Sequence, residues 1–399
     1  MANNNNKDKC NVPNLRFPEF SGEWEMSSIG EQFELYSGNT PSRMNKNQFD
    51  GSINWITSGE LKEHYISDTK EKISEEAAKN NSLKLLPVGT FVIAIYGLEA
   101  NSVRGTCSIT TRESTISQAC MAFTSKMDIQ NEFLYSWYKK HGNIIGIKYA
   151  QGTKQQNLSY DIIERFNISY PCMEEQKKLI RFISLIDQRI ATQNKIIEDL
   201  KKLKSAIIEI EYSPKDSYHS HIGGAIVQIS KRNKDNHLCN VLSVSNRQGF
   251  IKQSEQFEDR NVASDDTSNY KIVEKNDFAY NPARINVGSI ARLTKFETGI
   301  VSPMYICFRT KDCLLPEYLE LFFESRNFFY HIQKRLEGSV RLCLSYEELC
   351  NIPIVIPSIE KQKQVDLHLS KLAQKIDLEM KILQFVQQQK TYLLHQMFI

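Results

Sequence analysis

Gly152-Thr153-Lys154-Gln155-Gln156-Asn157-Leu158-Ser159-Tyr160 is answered, far down the chain, by Gly338-Ser339-Val340-Arg341-Leu342-Cys343-Leu344-Ser345-Tyr346. The offset that carries Gly152 onto Gly338 then holds without a gap. Phe166 falls on Ile352, Ile168 on Ile354, Pro171 on Pro357, Glu174 on Glu360, Gln176 on Gln362 and Ile207 on Leu393. Upstream the offset slips by about one position, pairing Phe133 and Leu134 with Tyr318 and Leu319, and Ser117 with Ser302, before the similarity fades. A period this long excludes a solenoid, whose units recur every few tens of residues. It predicts two copies of one domain plus one helix, and so two similar surfaces presented to two different targets.

Beyond Pro171 the strand-like runs give way to a helical period. Leu179, Ile183, Ile186, Ile190, Ile197, Leu200 and Ile207 step by three, four or seven. The same shift lands on Val365, Leu369, Leu372, Ile376, Leu383, Val386 and Leu393. This is the a/d stripe of a pairing helix. Neither segment contains Gly or Pro, and each opens on an acid, Glu174 or Glu360, that suits the positive end of the helix dipole. Roughly 35 residues rising about 1.5 Å each span about 50 Å, longer than one small domain needs. The two stripes are therefore expected to pack on each other rather than each on its own domain.

The bodies read as mixed. Phe91 to Ile95, Met304 to Phe308 and Ile352 to Ile356 are short β-branched or aromatic runs bounded by Pro, Gly or Asn, hence strands. Glu132 to Lys140 and Glu317 to Phe329 read as aromatic-rich helices, and the Ser-rich stretch Tyr212 to His221 as a linker. The fold class expected is α+β: two similar mixed α/β domains joined by two long antiparallel helices in a coiled-coil spacer, with a pseudo-twofold axis left by the duplication. The expected boundaries are a 1–12 tail, a first domain over 13–172, a central helix over 173–212, a second domain over 213–357 and a last helix over 358–399.

The 399 residues, 41% hydrophobic and 24% charged, are ordinary for a soluble globular protein and long enough for two or three cores. A polar, Asn-rich start and the lack of any long apolar run predict a cytoplasmic protein. Nine scattered cysteines with no C-x-x-C pair read as reduced thiols, so neither a metal nor a cofactor is expected. A net charge of +3 and a pI near 8.2 supply no overall field for nucleic acid. Locally the balance differs. Phe133 to Tyr160 holds no acid but Lys139, Lys140, Lys148 and Lys154, and Phe278 to Phe296 holds none but Arg284, Arg292 and Lys295. Their recurrence in both copies points to a polyanion.

The search for catalysis is mostly negative. No G-x-G-x-x-G opens a helix after a strand and no G-x-x-x-x-G-K-[ST] occurs, so neither a Rossmann dinucleotide site nor a P-loop is supported. Asn281-Pro282-Ala283-Arg284 lacks the second Pro and the aromatic of the amino-group DNA methyltransferase tetrapeptide. Asp50, Glu60 and Lys62 weakly match a nuclease pattern that has no counterpart in the second copy. What remains are polar loops suited to base edges and phosphates. They are Ser37, Gly38, Thr40 and Arg43; Gln151, Gly152, Thr153, Lys154 and Gln155; Ser245, Asn246 and Arg247; Asn281, Arg284 and Asn286; and Gly338, Ser339 and Arg341. Arg reads guanine and Asn or Gln reads adenine by paired hydrogen bonds, while Ser, Thr and Lys suit the backbone.

The opening Pro13-Asn14-Leu15-Arg16-Phe17-Pro18-Glu19-Phe20, then Gly22-Glu23-Trp24-Glu25 and Ser37-Gly38-Asn39-Thr40-Pro41, resembles the N-terminal signature of the specificity subunits of type I restriction-modification systems. Gly152-Thr153, Leu158-Ser159 and the closing Pro171, Glu174 and Gln176, each with its second copy, extend the resemblance over nearly the whole chain. It implies two target recognition domains, each reading a short half-site of double-stranded DNA, joined by a helical spacer. Two methyltransferase subunits and two restriction/translocase subunits would assemble on it, and the subunit itself would carry no catalysis. Divergent bodies imply an asymmetric, split recognition sequence. Recognition loops are the family's most variable part, so individual base contacts are not carried over. A stand-alone DNA-binding regulator without restriction partners and a coiled-coil scaffold without nucleic acid are the rival readings.

Overall fold

Phe91-Val92-Ile93-Ala94 is buried along its whole length, because this strand lies at the centre of a five-stranded sheet with both faces covered. The computed structural model describes residues 11–399 apart from 100–101, 127, 153–155, 214–219, 247, 257–265 and 338–341. Two units emerge: Met1–Gln193 with Ile382–Ile399, and Asn194–Lys381. The first ten residues of the expected N-terminal tail and most of the Ser-rich linker lie outside the described residues.

In the first unit the strand order is Phe33–Ser37, Cys120–Ser125, Phe91–Ala94, Cys107–Thr110 and Tyr65–Ile66. The helix Asn131–Tyr149 packs on this sheet and buries Phe133, Leu134, Tyr135, Trp137 and Tyr138. It runs well beyond the Lys140 expected from its aromatic pattern. A smaller sheet of Lys72–Ile73, Ile53–Ile56 and Ser114–Ile116 carries its own core of Trp55, Ile73, Ala77 and Leu83. Glu25–Ser28 pairs antiparallel with Asn167–Tyr170, the strand that leads into the first long helix. The N-terminal signature thus docks at that helix's start. Arg16 adds a two-pronged bond to the buried Glu175 carboxylate, Nε to Oε1 at 2.8 Å and Nη2 to Oε2 at 2.7 Å.

The second unit holds two four-stranded sheets. One runs Ile226–Ile229, Ile306–Thr310, Phe278–Tyr280, Ile290–Arg292; the other runs Gly249–Lys252, Val241–Ser245, Thr298–Val301, Lys271–Glu274. Two sequence expectations are corrected here. Ile352 to Ile356 is not a strand: Pro353 and Pro357 have no N–H to give a ladder, and only a lone His221–Pro353 bridge and two flanking bonds remain. Glu317 to Phe329 is two helices, Pro316–Phe323 and Arg326–Arg335. Ser325 separates them, because its hydroxyl accepts the Phe328 N–H and caps the second helix.

The duplicated glutamines explain why this part of the repeat persisted. Gln176 accepts from the Gln130 N–H at 3.0 Å and donates to the carbonyls of Asp128 (2.6 Å) and Pro171 (3.0 Å). Gln362 accepts from the Leu315 N–H at 2.8 Å and donates to Cys313 and Pro357, each at 2.9 Å. Gln130 and Leu315 are the N-caps of Asn131–Tyr149 and Pro316–Phe323. In each unit one buried carboxamide therefore ties the start of a long helix to the start of the aromatic helix beneath it.

The long helices are Met173–Glu211 and Ile359–Met397, 39 residues each. In the first unit Leu179 and Ile183 share a core with Leu393, Leu394, Met397 and Phe398. In the second, Ile208 and Tyr212 share one with Val365 and Leu369. Within each unit the beginning of one helix meets the end of the other, which makes the pairing antiparallel. Ion pairs accompany it, Asp187 with Lys390 in the first unit and Glu211 with Lys361 in the second. Leu179, Ile183, Ile197, Val365, Leu369, Ile376, Val386 and Leu393 are buried; Ile186, Ile190, Leu200, Ile207, Leu372 and Leu383 are half-buried. A second apolar set stays exposed: Leu185, Ile196, Leu203 and Ile210 on the first helix, and Leu367, Leu378, Phe385 and Tyr392 on the second. The two exposed sets have the same internal spacing, and their mutual offset is about one helical turn short of the duplication register. Among the described residues no helix is long and apolar enough to cross a membrane.

Candidate nucleic-acid interface

In the second unit backbone and side-chain hydrogen bonds gather three polar segments. The Val241–Ser245 strand turns through exposed Asn246 into Gly249–Lys252, pairing Ser245 with Gly249. Phe278–Tyr280 runs out into Asn281, whose N–H bonds to the Ser289 carbonyl at 3.0 Å. The Ser289 hydroxyl donates to the Val244 carbonyl at 3.2 Å, bringing the two turns together. The third piece is the bridge between Glu337 and Cys343, which exchange N–H···O bonds of 3.0 and 2.8 Å. Leu344 N–H on the Pro282 carbonyl (3.1 Å) and Tyr280 Oη on the Leu344 carbonyl (3.2 Å) hold Leu344, next to that bridge, against the start of the Asn281–Gly288 turn.

The first unit repeats the bridge. Gln151 and Asn157 exchange bonds of 2.8 and 2.9 Å, Gly152 stands at φ +117°, and Leu158 N–H reaches the Ile95 carbonyl at 2.9 Å. Gln151 and Asn157 stand at the duplication offset from Glu337 and Cys343, so the two bridges are equivalent pairs. Where the second unit has Asn281 to Gly288, the first has Gly97 to Arg104. Leu98 N–H bonds the Gln156 carbonyl at 3.0 Å, Gln156 N–H bonds Glu99 Oε1 at 2.9 Å, and Arg104 bridges Leu98 O (2.7 Å) and Gln156 Oε1 (2.9 Å). Sequence reasoning missed this segment. Carrying the offset upstream from Pro282 would have found it, since it lands on Tyr96, beside Gly97 at φ +77°.

The candidate residues divide by what already occupies them. Arg284 is exposed and forms no side-chain bond among the described residues; Asn246 is exposed and Asn286 half-buried. Asn281 is buried, its Oδ1 taken by the Ala283 N–H at 3.0 Å, so it builds the turn. Arg43 is exposed but engaged. Glu71 takes it in a two-pronged ion pair, with one bond of 2.9 Å, and its guanidinium lies 5.0 and 5.4 Å from the rings of Phe49 and Trp55. The bond to Glu71 holds its pKa above the usual arginine value. Arg43 belongs to the small sheet and is not gathered with the Gln151 loop.

Gly38 has a packing role. A Cβ there would sit 1.9 Å from the Ile116 carbonyl oxygen. Asn39 then ties the same junction, its N–H to Ile116 O at 3.2 Å and its carbonyl to Trp55 Nε1 at 3.2 Å, while its side chain accepts the Thr40 N–H at 2.8 Å. Ser37 ends its strand exposed, and Thr40 is half-buried. Gln151 and Gly152 are exposed, and Ser245 is half-buried with its polar group engaged. Thr153, Lys154, Gln155, Arg247, Gly338, Ser339 and Arg341 lie outside the described residues. Glu60 of the nuclease-like trio caps backbone, accepting from the N–H groups of Thr57 (2.8 Å) and Lys70 (2.7 Å). Among the described residues no three His, Cys, Asp or Glu side chains gather as a metal site.

Residues 21–202 match the family of type I restriction modification DNA specificity domains. The specificity subunit of the type I restriction enzyme MjaIX of Methanocaldococcus jannaschii is 28% identical over 199 residues, 48% of this chain and 45% of that subunit. The EcoR124I/EcoR124II specificity subunit of Escherichia coli is 28% identical over 192 residues, 47% of this chain and 46% of that one. The matched stretch thus spans about half the length of these relatives. Two solved structures share the fold over nearly the whole chain. The type I restriction-modification S subunit from M. genitalium has a TM-score of 0.57 at 15% identity, covering 97% of this chain and 99% of its own. A chain from a study of complex assembly and conformational transition of the type I system has 0.58 at 13%, covering 93% and 96%.

Proposed function

We propose that this protein is the specificity subunit of a type I restriction-modification complex. It binds double-stranded DNA at a bipartite, asymmetric site and is the scaffold on which methyltransferase and restriction/translocase subunits assemble. The observation that carries this reading is the pair of equivalent bridges, Gln151–Asn157 and Glu337–Cys343, each bonded through its neighbours to a polar turn in its own unit. One bridge of this kind is ordinary. Two at one fixed offset, on bodies that have otherwise diverged, suit two half-sites of different sequence. The domain assignment follows: recognition over 13–172 and 213–357, with helices over 173–212 and 358–399 between and after them. DNA contact is assigned to the exposed Arg284 and Asn246 foremost, with the half-buried Asn286, in the second unit, and to Gln151 and Ser37 in the first. The exposed apolar set on the long helices suits partner subunits, since aliphatic side chains repeating on one face seek another helix. The chain itself carries no methyl transfer, cleavage or ATP hydrolysis, and it works in the cytoplasm.

The test is methylome sequencing of the host with and without the gene, alongside titration of the full chain with duplex DNA. A split, asymmetric methylated sequence that disappears with the gene is expected. Duplex affinity should fall steeply with salt, as counterion release requires. Methylation unchanged by the deletion, or turnover of DNA or ATP by the purified chain alone, would overturn the assignment.

A further inference from the structure

We infer that Val287 reads the C5-methyl group of a thymine in the recognised DNA, so that one position is distinguished by an apolar contact and not by a hydrogen bond. This rests on the DNA-recognition reading above and deepens it. Ile285 and Val287 stand two apart on one short turn, Ile285–Val287, yet the first is 1% exposed and the second 57%. The turn is held so that they cannot exchange. Ile285 is anchored in the core with Phe278, Tyr280 and Phe308. The Arg284 carbonyl accepts the N–H groups of Val287 (3.2 Å) and Ser289 (3.1 Å), and Gly288 N–H bonds the Ile285 carbonyl at 2.9 Å. Gly288 closes the turn at φ +88°, a conformation other residues rarely adopt. Drawing Val287 inward would require unwinding all of this.

A lone exposed aliphatic is ordinary on a protein surface. Val287 differs by its company. It follows Arg284, exposed and uncommitted among the described residues, and Asn286 on the same turn, and Gly288 next to it faces Asn246. No acid occurs from Phe278 to Phe296. A polar, acid-free turn therefore carries one rigidly presented apolar group. The major-groove edges offer one apolar feature to match it, the thymine methyl. A β-branched side chain, stiff at χ1, presents its methyls with little rotamer freedom left to lose.

The full chain is used to select its preferred sequence from a randomised duplex pool. Each thymine of that sequence is then replaced singly by deoxyuracil, which lacks only the C5-methyl. At one thymine, wild-type affinity should fall about fourfold, the size of one buried methyl group. Val287→Ala should bind the thymine and uracil duplexes equally, whereas Val227→Ala, at an exposed valine on the Ile226–Ile229 strand, should keep the penalty. If Val287→Ala folds poorly, Val287→Thr, which keeps the shape and loses one methyl, serves for the comparison. A uracil penalty that survives loss of the Val287 methyls, or no penalty at any thymine, overturns the inference while leaving DNA recognition standing. Failure to enrich any sequence overturns DNA recognition itself, and this inference with it.

Discussion

Replacing Gln176 with methionine removes a hydrogen-bonding hub while nearly keeping its volume, so cavity formation does not confuse the result. The Gln176 side chain is wholly buried and makes three bonds. The one to the Pro171 carbonyl is fully buried, and orphaning that acceptor costs about 1–3 kcal/mol. Those to Gln130 and Asp128 are partly open to water, which can replace the lost partner, so each contributes about 0.5–1.5 kcal/mol. From the low end to the middle of each range the total is about 2–4 kcal/mol. The molecule supplies its own reporter, because its three tryptophans, Trp24, Trp55 and Trp137, are all buried in the same unit as Gln176. Fluorescence-detected urea unfolding should show the midpoint lowered by about 1–2 M, taking about 2 kcal/mol per molar urea for the slope. Hydrogen exchange at the Gln130 amide should quicken in parallel. A loss below about 1 kcal/mol with an unchanged slope would refute the idea that this glutamine clamps the two helix starts.

Arg284→Ala should weaken specific DNA binding by about 1–3 kcal/mol and relax one position of one half-site, measured by competition among single-base variants; a uniform loss over all sequences would instead make Arg284 a phosphate contact. Gly38→Ala should leave little folded protein in thermal unfolding, because the new methyl meets the Ile116 carbonyl, whereas Gly59→Ala, with open space around it, should be nearly silent. His141 gives a pH dependence. Burial, aided by Lys140, pushes its imidazole down to about 4 from an ordinary 6.5, even though Nε2 lies 2.9 Å from the Ile399 main-chain oxygen. The folded state keeps it neutral while the unfolded chain protonates it, so its contribution is complete above about pH 6.5 and is lost as the pH falls toward 4. His141→Gln should flatten the stability curve of the first unit across that window, as read by urea midpoints at several pH values.

How far these features were legible in the sequence depends on whether they repeat. The a/d stripes and the Gly152/Gly338 loops recur at one offset, and recurrence marks them without any knowledge of contacts. Gln176 and Gln362 were visible as a repeated pair, but their work was not, because their partners Gln130 and Leu315 sit where the offset has slipped by one. Arg43 and Arg284 read alike as basic residues in Gly- and Asn-containing loops. They part only in three dimensions, where Glu71, distant in sequence, meets Arg43 and no comparable acid meets Arg284 among the described residues. Gly38 seemed part of a polar reading loop, yet its lack of a side chain serves close backbone packing. The contacts of Leu98, Glu99 and Arg104 with Gln156 escaped because similarity fades there. Ile352 to Ile356 has strand-like side chains, but two prolines remove the donors a ladder needs.

The first unit includes Ile382–Ile399, whose Leu393, Leu394, Met397 and Phe398 complete the core around Leu179 and Ile183, with Trp137 Nε1 on the Ile399 main-chain oxygen at 3.0 Å. On the ribosome this unit cannot close when the chain has emerged only as far as Gln193. It must wait until the whole of Asn194–Lys381 and then its own last segment are made, at about 5–20 residues per second. During that interval the apolar stripe of the first long helix stands uncovered, open to whatever helix arrives first. A transcript cut before codon 382 would leave Leu179 and Ile183, the first unit's part of that stripe, without the Leu393, Leu394, Met397 and Phe398 that cover them.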